Sequence, residues 1–171
     1  GMLYVGPQGA GAKPGPACYN LGGEKATVTD AQLLLGRFSP GTYADGQIEM
    51  NLELARNSIN KYLAKPLGIT SEEAAIGVLR LMDQKLLHAV QRISVERGHD
   101  PSLFTLVAGG GAGPLHGVEV ARLLGCKQVY IPRLSGAFCA LGMLNSNVQH
   151  EYFRVYFDSL VTADLKDIKS I

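Results

Sequence analysis

The stretch Leu103–Pro114, LFTLVAGGGAGP, constrains this chain more than any other. Leu103 to Ala108 are apolar apart from Thr105, the pattern of a strand buried on both faces. Gly109, Gly110 and Gly111 follow, and Ala112-Gly113-Pro114 opens a helical run that ends at Gly125. Pro114 suits a first helical position, and Gly125 the left-handed residue after the last turn. The unit is strand, glycine turn, helix. Such a junction lets backbone approach a flat or charged ligand with no Cβ between, and the helix start adds free N–H groups. A plain tight turn would use the same residues.

The standard phosphate loops do not fit. No Gly-Lys-Ser/Thr is present, which excludes a Walker loop. Gly109 and Gly111 match the first two places of the dinucleotide fingerprint, but Pro114 stands where its third glycine belongs. The next strand, Gln128 to Ile131, ends in Pro132-Arg133 and not in the acid that would hold a ribose. This argues against a nicotinamide enzyme.

With 171 residues the chain is about one domain long and can bury a core. Its net charge of +1 points to neither nucleic acid nor an anionic membrane. No apolar run reaches the roughly 20 residues that span a bilayer. The three cysteines (Cys18, Cys126, Cys139) are scattered, odd in number and without metal-like spacing. No metal site is expected from them, and free thiols in a reducing cytoplasm are. The opening GMLYVGP carries no signal-peptide pattern.

In chain order, Leu3 to Pro7 reads as a short strand, followed by a long Gly- and Pro-rich segment from Gly6 to Gly23. Loops of that length are uncommon in compact domains and are usually functional or disordered. Cys18 within it invites a nucleophilic reading, but no His lies nearby, and a free cysteine is more often a small packed residue. Thr27 should cap a short helix ending before Gly36, with Asp30 in its first turn. Asp30 is either a cap or a polar contact for a ligand or metal-bound water, and capping alone would account for it. Ser39 to Gly46 reads as a turn. Asn51 opens a second helix, with Leu52, Ala55, Ile59 and Leu63 on one face and Pro66 and Gly68 at its close.

Thr70 and Glu73 form a capping box for the longest helix, expected to run to Gly98. Roughly 26 residues would make it about 39 Å long. Its main stripe is Ala75, Leu79, Met82, Leu86, Val90 and Ile93, with Ala74, Val78 and Leu81 as a second near its start. The expectation is a support packed along the sheet. His99-Asp100 in the following turn is read as structural, since adjacent turn residues seldom face one another. His116, in the first turn of the glycine-unit helix, is better placed to meet a ligand, though such a histidine is more often packed or solvated. Lys127 to Ile131 should pair in parallel with the first strand, and Pro132 to Ala137 make a second turn at the same end of the sheet. Ala140 to Asn145 reads as a short helix, Tyr152 to Phe157 as a half-exposed strand, and Leu160 to Ile171 as weakly helical.

Five ordered segments resemble the hydantoinase A and 5-oxoprolinase family, which includes the nucleotide-binding subunits of acetone-type carboxylases. They are VGPQGAGAKPGPACY (5–19), TVTDAQLLLGR (27–37), SVERGHDPSLF (94–104), LVAGGGAGPLH (106–116) and CALGML (139–144). Two positions depart from the pattern: Gly109 stands where relatives more often carry an aromatic residue, and Cys139 where they often carry Ser. The resemblance implies an α/β fold, a helix-rich ribonuclease-H-like domain of the actin, sugar kinase and heat-shock ATPase superfamily, present in part. Residues 1–158 would be the latter part of its second ATPase-like domain, and 159–171 a linker or the start of a further segment. The superfamily's phosphate motifs would lie before Gly1 in a larger subunit.

What the resemblance implies for function is ATP- and Mg²⁺-dependent hydrolysis of a cyclic amide, a hydantoin or 5-oxoproline. A hydantoinase B-type subunit or domain would complete the reaction, and a homo-oligomer is compatible. Gly109, Gly110, Gly111 and Ala112 would hold adenine and ribose, with Gly113, His116 and Asp30 as neighbouring contacts. No residue of this stretch is assigned a catalytic role. The alternatives are ATP-driven ketone carboxylation and a non-catalytic nucleotide-binding module.

Overall fold

Thr27 decides where the first helix begins. In the computed structural model, which describes residues 2–157, 159, 161 and 166, its hydroxyl accepts the Asp30 N–H. The Asp30 carboxylate reaches back to the Thr27 N–H at 2.9 Å, a reciprocal capping box that opens α1 (Val28–Leu34). The segment before it is not the expected strand. Gly6 turns the chain at φ 63, and no strand lies beside Leu3–Pro7 among the described residues. Leu3 and Val5 pack instead on a helical core, and the Lys85 ammonium binds the Val5 carbonyl. The Gly- and Pro-rich segment stays irregular but not free, since a 3-10 turn at Ala17–Tyr19 buries Ala17 and Cys18.

Beyond α1 the expected turn is a hairpin. β1 (Gly41–Tyr43) pairs antiparallel with β2 (Ile48–Met50), with Ala44, Asp45 and Gly46 all at positive φ in the turn. Asp-Gly is the residue pair such turns favour. Asn51 then caps α2 (Leu52–Ile59) by accepting the Leu54 N–H at 3.0 Å. The expected single helix continues but widens into a π-helical turn at Asn60–Ala64 before α3 (Lys65–Leu67) and Gly68 at φ 68. Pro66 has no N–H for an α-type bond, and the Lys65 N–H reaches back five residues to the Asn60 carbonyl.

Thr70 and Glu73 cap α4 (Ser71–Ile93) as expected. The helix stops before Gly98, at Ser94, whose N–H and hydroxyl both bond the Val90 carbonyl, at 3.0 and 2.6 Å. A 3-10 turn and Gly98 at φ 82 complete the exit. α4 packs mainly on α1, and the core around Ile59, Ala75 and Leu79 is helix against helix. Its other main neighbour is α5 (Gly113–Leu124), joined through Leu87, Val120 and Leu124. The expectation that α4 lies along the sheet is therefore corrected, since α5 is the helix that covers the strands.

β3 (Thr105–Val107) and β4 (Gln128–Tyr130) are parallel, pairing Thr105 with Gln128 and Val107 with Tyr130. With α5 between them they form the expected βαβ unit. The strand is not buried on both faces, however. It is also shorter than expected, since Leu103 ends a 3-10 turn (Pro101–Leu103), and within it Thr105 and Val107 are exposed, because among the described residues this sheet has two strands and a helix on one face only.

The chain divides after Phe138 into two compact units. α6 (Phe138–Asn145) starts two residues before the expected helix and carries no buried residue. Tyr152–Phe157 is exposed chain and not the expected strand, having no strand to pair with among the described residues. The expected weak helix over 160–171 lies, apart from 161 and 166, outside the described residues.

Candidate functional site

The two turns that leave β3 and β4 are tied together. Ala108 extends the ladder by donating to the Tyr130 carbonyl at 3.0 Å, and the Gly110 N–H donates to the Ser135 carbonyl at 2.7 Å. Each glycine then has its own reason. A Cβ at Gly109 would lie 2.9 Å from Phe138 Cδ1, so the aromatic ring closes that side. Gly110 sits at φ 85, which disfavours any side chain. Gly111 differs from both: a Cβ there would meet no atom within 4 Å, and its φ is ordinary. Ala112 follows without a side-chain cap, so the first-turn N–H groups of α5 beside Gly113 have no side-chain acceptor. The open side of the turn is therefore bare backbone from Gly111 to Gly113.

His116 does not join it. Although it lies in the first turn of α5, its ring is buried among α1, α4 and α5. Nδ1 lies 2.5 Å from Asp83 Oδ1, and Nε2 lies 2.8 Å from Gln32 Nε2. Both ring nitrogens are engaged, and the ring is not offered to a ligand. Asp30 is likewise withdrawn: it is fully buried, with Oδ1 accepting the Cys18 N–H at 2.8 Å and Oδ2 accepting from Thr27. It is a structural cap, linking the irregular segment to α1.

Burial, reinforced by the Asp30 carboxylate, pushes the Cys18 thiol far above its ordinary range, which disfavours the reactive thiolate. His99 packs its ring edge-on to Phe104 at 6.4 Å, while Asp100 accepts the Ser102 N–H at 2.9 Å. Hydrogen bonding from Ser102, from its side chain first and then from its N–H, holds the Asp100 carboxyl below its usual range, in keeping with a turn cap. A groove of about 740 Å³ runs between the 2–10 segment, Lys25–Thr27 and Tyr62–Leu67, and none of the expected site residues lines it.

Sequence reasoning passed over Asp83, Gln32 and Gly117. Asp83 stands between Leu79 and Leu87 at helical spacing, and an acid inside an apolar stripe requires a buried partner. A Cβ at Gly117 would lie 2.7 Å from the Ala108 Cβ, so this glycine seats α5 against β3. Its position in a helix beside a strand–glycine unit was the available signal.

Residues 1–152 match the model of one family, hydantoinase/oxoprolinase. This chain belongs to the hydantoinase/oxoprolinase family. This family member is 42% identical over 151 residues to the caprolactamase subunit alpha of Pseudomonas jessenii, covering 88% of the present chain and 22% of that protein. It is 41% identical over 152 residues to the acetophenone carboxylase gamma subunit of Aromatoleum aromaticum, covering 88% and 20%. The crystal structure of ATP-dependent caprolactamase from Pseudomonas jessenii is similar at a TM-score of 0.79 and 42% identity, over 86% of this chain and 21% of that one. The chain thus spans about a fifth of the length of these relatives.

Proposed function

We propose that this segment forms the adenosine-facing wall of an ATP-dependent enzyme that opens a cyclic amide of the hydantoin or 5-oxoproline type. The observation that carries the reading is Gly111, a glycine that neither backbone strain nor packing requires, on the open side of a strand-to-helix turn. Gly9, Gly136 and Gly142 are equally unconstrained, and what singles out Gly111 is its place on the open side of the strand-to-helix turn, where a ligand lying against the backbone would account for the missing Cβ. In this reading Gly111, Ala112 and Gly113 face the adenosine, while Gly109 and Gly110 shape the turn against Phe138 and Ser135. Residues 1–158 belong to the second, ribonuclease-H-like domain of the subunit, with 159–171 leading onward, and the setting is cytoplasmic. The relative named as an ATP-dependent caprolactamase supports both the nucleotide and the amide class.

Bound ATP would supply the phosphoryl group that turns an amide oxygen into a leaving group, and the residues of this segment would hold its adenosine end. In this reading Mg²⁺ belongs with the phosphates, held by the rest of the subunit, and a hydantoinase B-type partner completes the hydrolysis. The second reading is a subunit of a ketone carboxylase, favoured by the likeness to the acetophenone carboxylase gamma subunit. Assaying the full-length subunit and its partner on a lactam and on a ketone with bicarbonate separates the two.

Gly111→Val tests the wall itself. The structure leaves room for the side chain, so folding should survive. Contacts worth about 2–3 kcal/mol lost to the intruding branch would weaken binding roughly thirty- to more than a hundredfold. AMP titration calorimetry on the full-length subunit, with a thermal melt of the same samples, reads both. Unchanged affinity in folded Gly111→Val protein removes the nucleotide reading of this turn.

A further inference from the structure

Three polar side chains meet where α1, α4 and α5 converge, and the adenosine-wall reading gives them no task. His116 is 5% exposed, Asp83 2% and Gln32 5%. With Asp83 Oδ1 at Nδ1 and the Gln32 amide nitrogen at Nε2, the imidazole carries its proton on Nδ1 and donates it to the carboxylate. It accepts from Gln32 at the other nitrogen. One ring thereby joins three helices. Arg37, just beyond α1, adds a second tie by donating to the Leu115 carbonyl at 2.5 Å. Both ties grip the first turn of α5, immediately after the bare backbone of Gly111–Gly113.

On its other side α5 rests on β3 through Gly117 and Ala108. That close contact sets how near α5 lies to the strand, and it acts at Gly117, one residue beyond His116. Hydrogen bonds of fixed length and angle add the constraint on the other side of the helix, at its first turn. A buried charged cluster is also weak evidence for stability, since well-packed apolar residues often replace one without loss.

We propose that Gln32, Asp83 and His116 are positioning residues: they set the rotation of the first turn of α5 and so aim the Gly111–Gly113 backbone at the nucleotide. This rests on the adenosine-wall reading, and its test has a readout that does not.

The test uses the full-length subunit with His116→Leu, which removes both bonds, and His116→Asn, whose amide nitrogen can replace Nδ1 toward Asp83. Hydrogen exchange of the peptide spanning 107–117 is measured beside AMP calorimetry and a thermal melt. Folded His116→Leu should exchange roughly tenfold faster in that peptide and bind AMP roughly tenfold more weakly, the scale of a lost charge-assisted hydrogen bond. His116→Asn should recover part of both. Wild-type exchange in folded His116→Leu overturns the positioning role whether or not AMP binds. So does faster exchange with unchanged AMP affinity. A wild-type subunit that binds no AMP removes the adenosine reading, and exchange alone then decides whether the relay holds the turn. Should His116→Leu not fold, Gln32→Met leaves the Asp83–His116 bond in place. It carries the same readouts, with about threefold effects expected for one neutral hydrogen bond and no change overturning the proposal.

Discussion

Gly117 lacks a side chain because Ala108 leaves it no room. A Cβ there would stand 2.7 Å from the Ala108 Cβ, which is fixed to the backbone of the strand and cannot swing away. Gly117→Ala should therefore lower stability by about 1–3 kcal/mol, read from denaturant midpoints, and Ala108→Gly in the same chain should restore part of it. Additive losses would mean that the two residues do not touch. The cysteines make a second residue-level case. Cys139 is exposed, Cys126 half-buried and Cys18 enclosed, with its thiol pushed upward by burial. Thiolate is the reactive form, so iodoacetamide at neutral pH should label Cys139 first, Cys126 more slowly, and Cys18 only on unfolding, as mass spectrometry would show. The folded thiol keeps its proton to higher pH than the unfolded one, whose ordinary value is about 8.5. Unfolding then releases a proton above that pH, and stability should fall as pH rises there, with Cys18→Ala lacking the slope.

Helix starts were legible in the sequence because capping is local. Thr27 with Asp30 and Thr70 with Glu73 stand three residues apart and need no tertiary information. Helix ends were less so: Gly98 was read as the stop of α4, whereas the helix ends at Ile93, with Ser94 bonding the Val90 carbonyl through its hydroxyl as well as its N–H. The strand read over Leu103–Ala108 was legible in its centre, Thr105–Val107, but not in its start, where Leu103 is in a 3-10 turn, nor in its burial, which depends on what covers its second face. The relay was invisible because Gln32, Asp83 and His116 come from three helices and meet only through packing. Capping also makes an acid-range prediction. Bonds from the Thr70 N–H and hydroxyl hold the Glu73 carboxyl below its usual range. That depressed value contributes stability above the ordinary carboxylate range, lost as pH falls through the folded value. Glu73→Gln keeps the capping geometry and should flatten the acid side of the stability profile, measured by thermal melts across pH. An unchanged acid limb would mean that the box contributes nothing there.

Across the first unit, three of the segments that carry the family resemblance, the first, second and fourth, bond to one another. The Cys18 N–H of the first meets Asp30 of the second, and Gln32 and Arg37 of the second meet His116 and Leu115 of the fourth. The Cys126 thiol, just past α5, donates to the Pro101 carbonyl of the third at 3.2 Å. This connected frame should fold when the 171 residues are expressed alone, with a cooperative melt. It should not turn over ATP. Among the described residues no group of three or more His, Cys, Asp and Glu could hold a metal, and no Gly-Lys-Ser/Thr phosphate loop stands in the sequence, so the alignment and neutralisation of a γ-phosphate are expected from outside this segment. Val107 and Tyr130 on the strands and Leu103 and Phe104 just before β3 leave apolar side chains exposed, and the isolated piece should bind a hydrophobic dye more strongly than the full-length subunit does. Magnesium-dependent ATP hydrolysis by the purified segment, above a boiled control, would place the catalytic machinery within these residues and overturn the division of labour argued for the subunit.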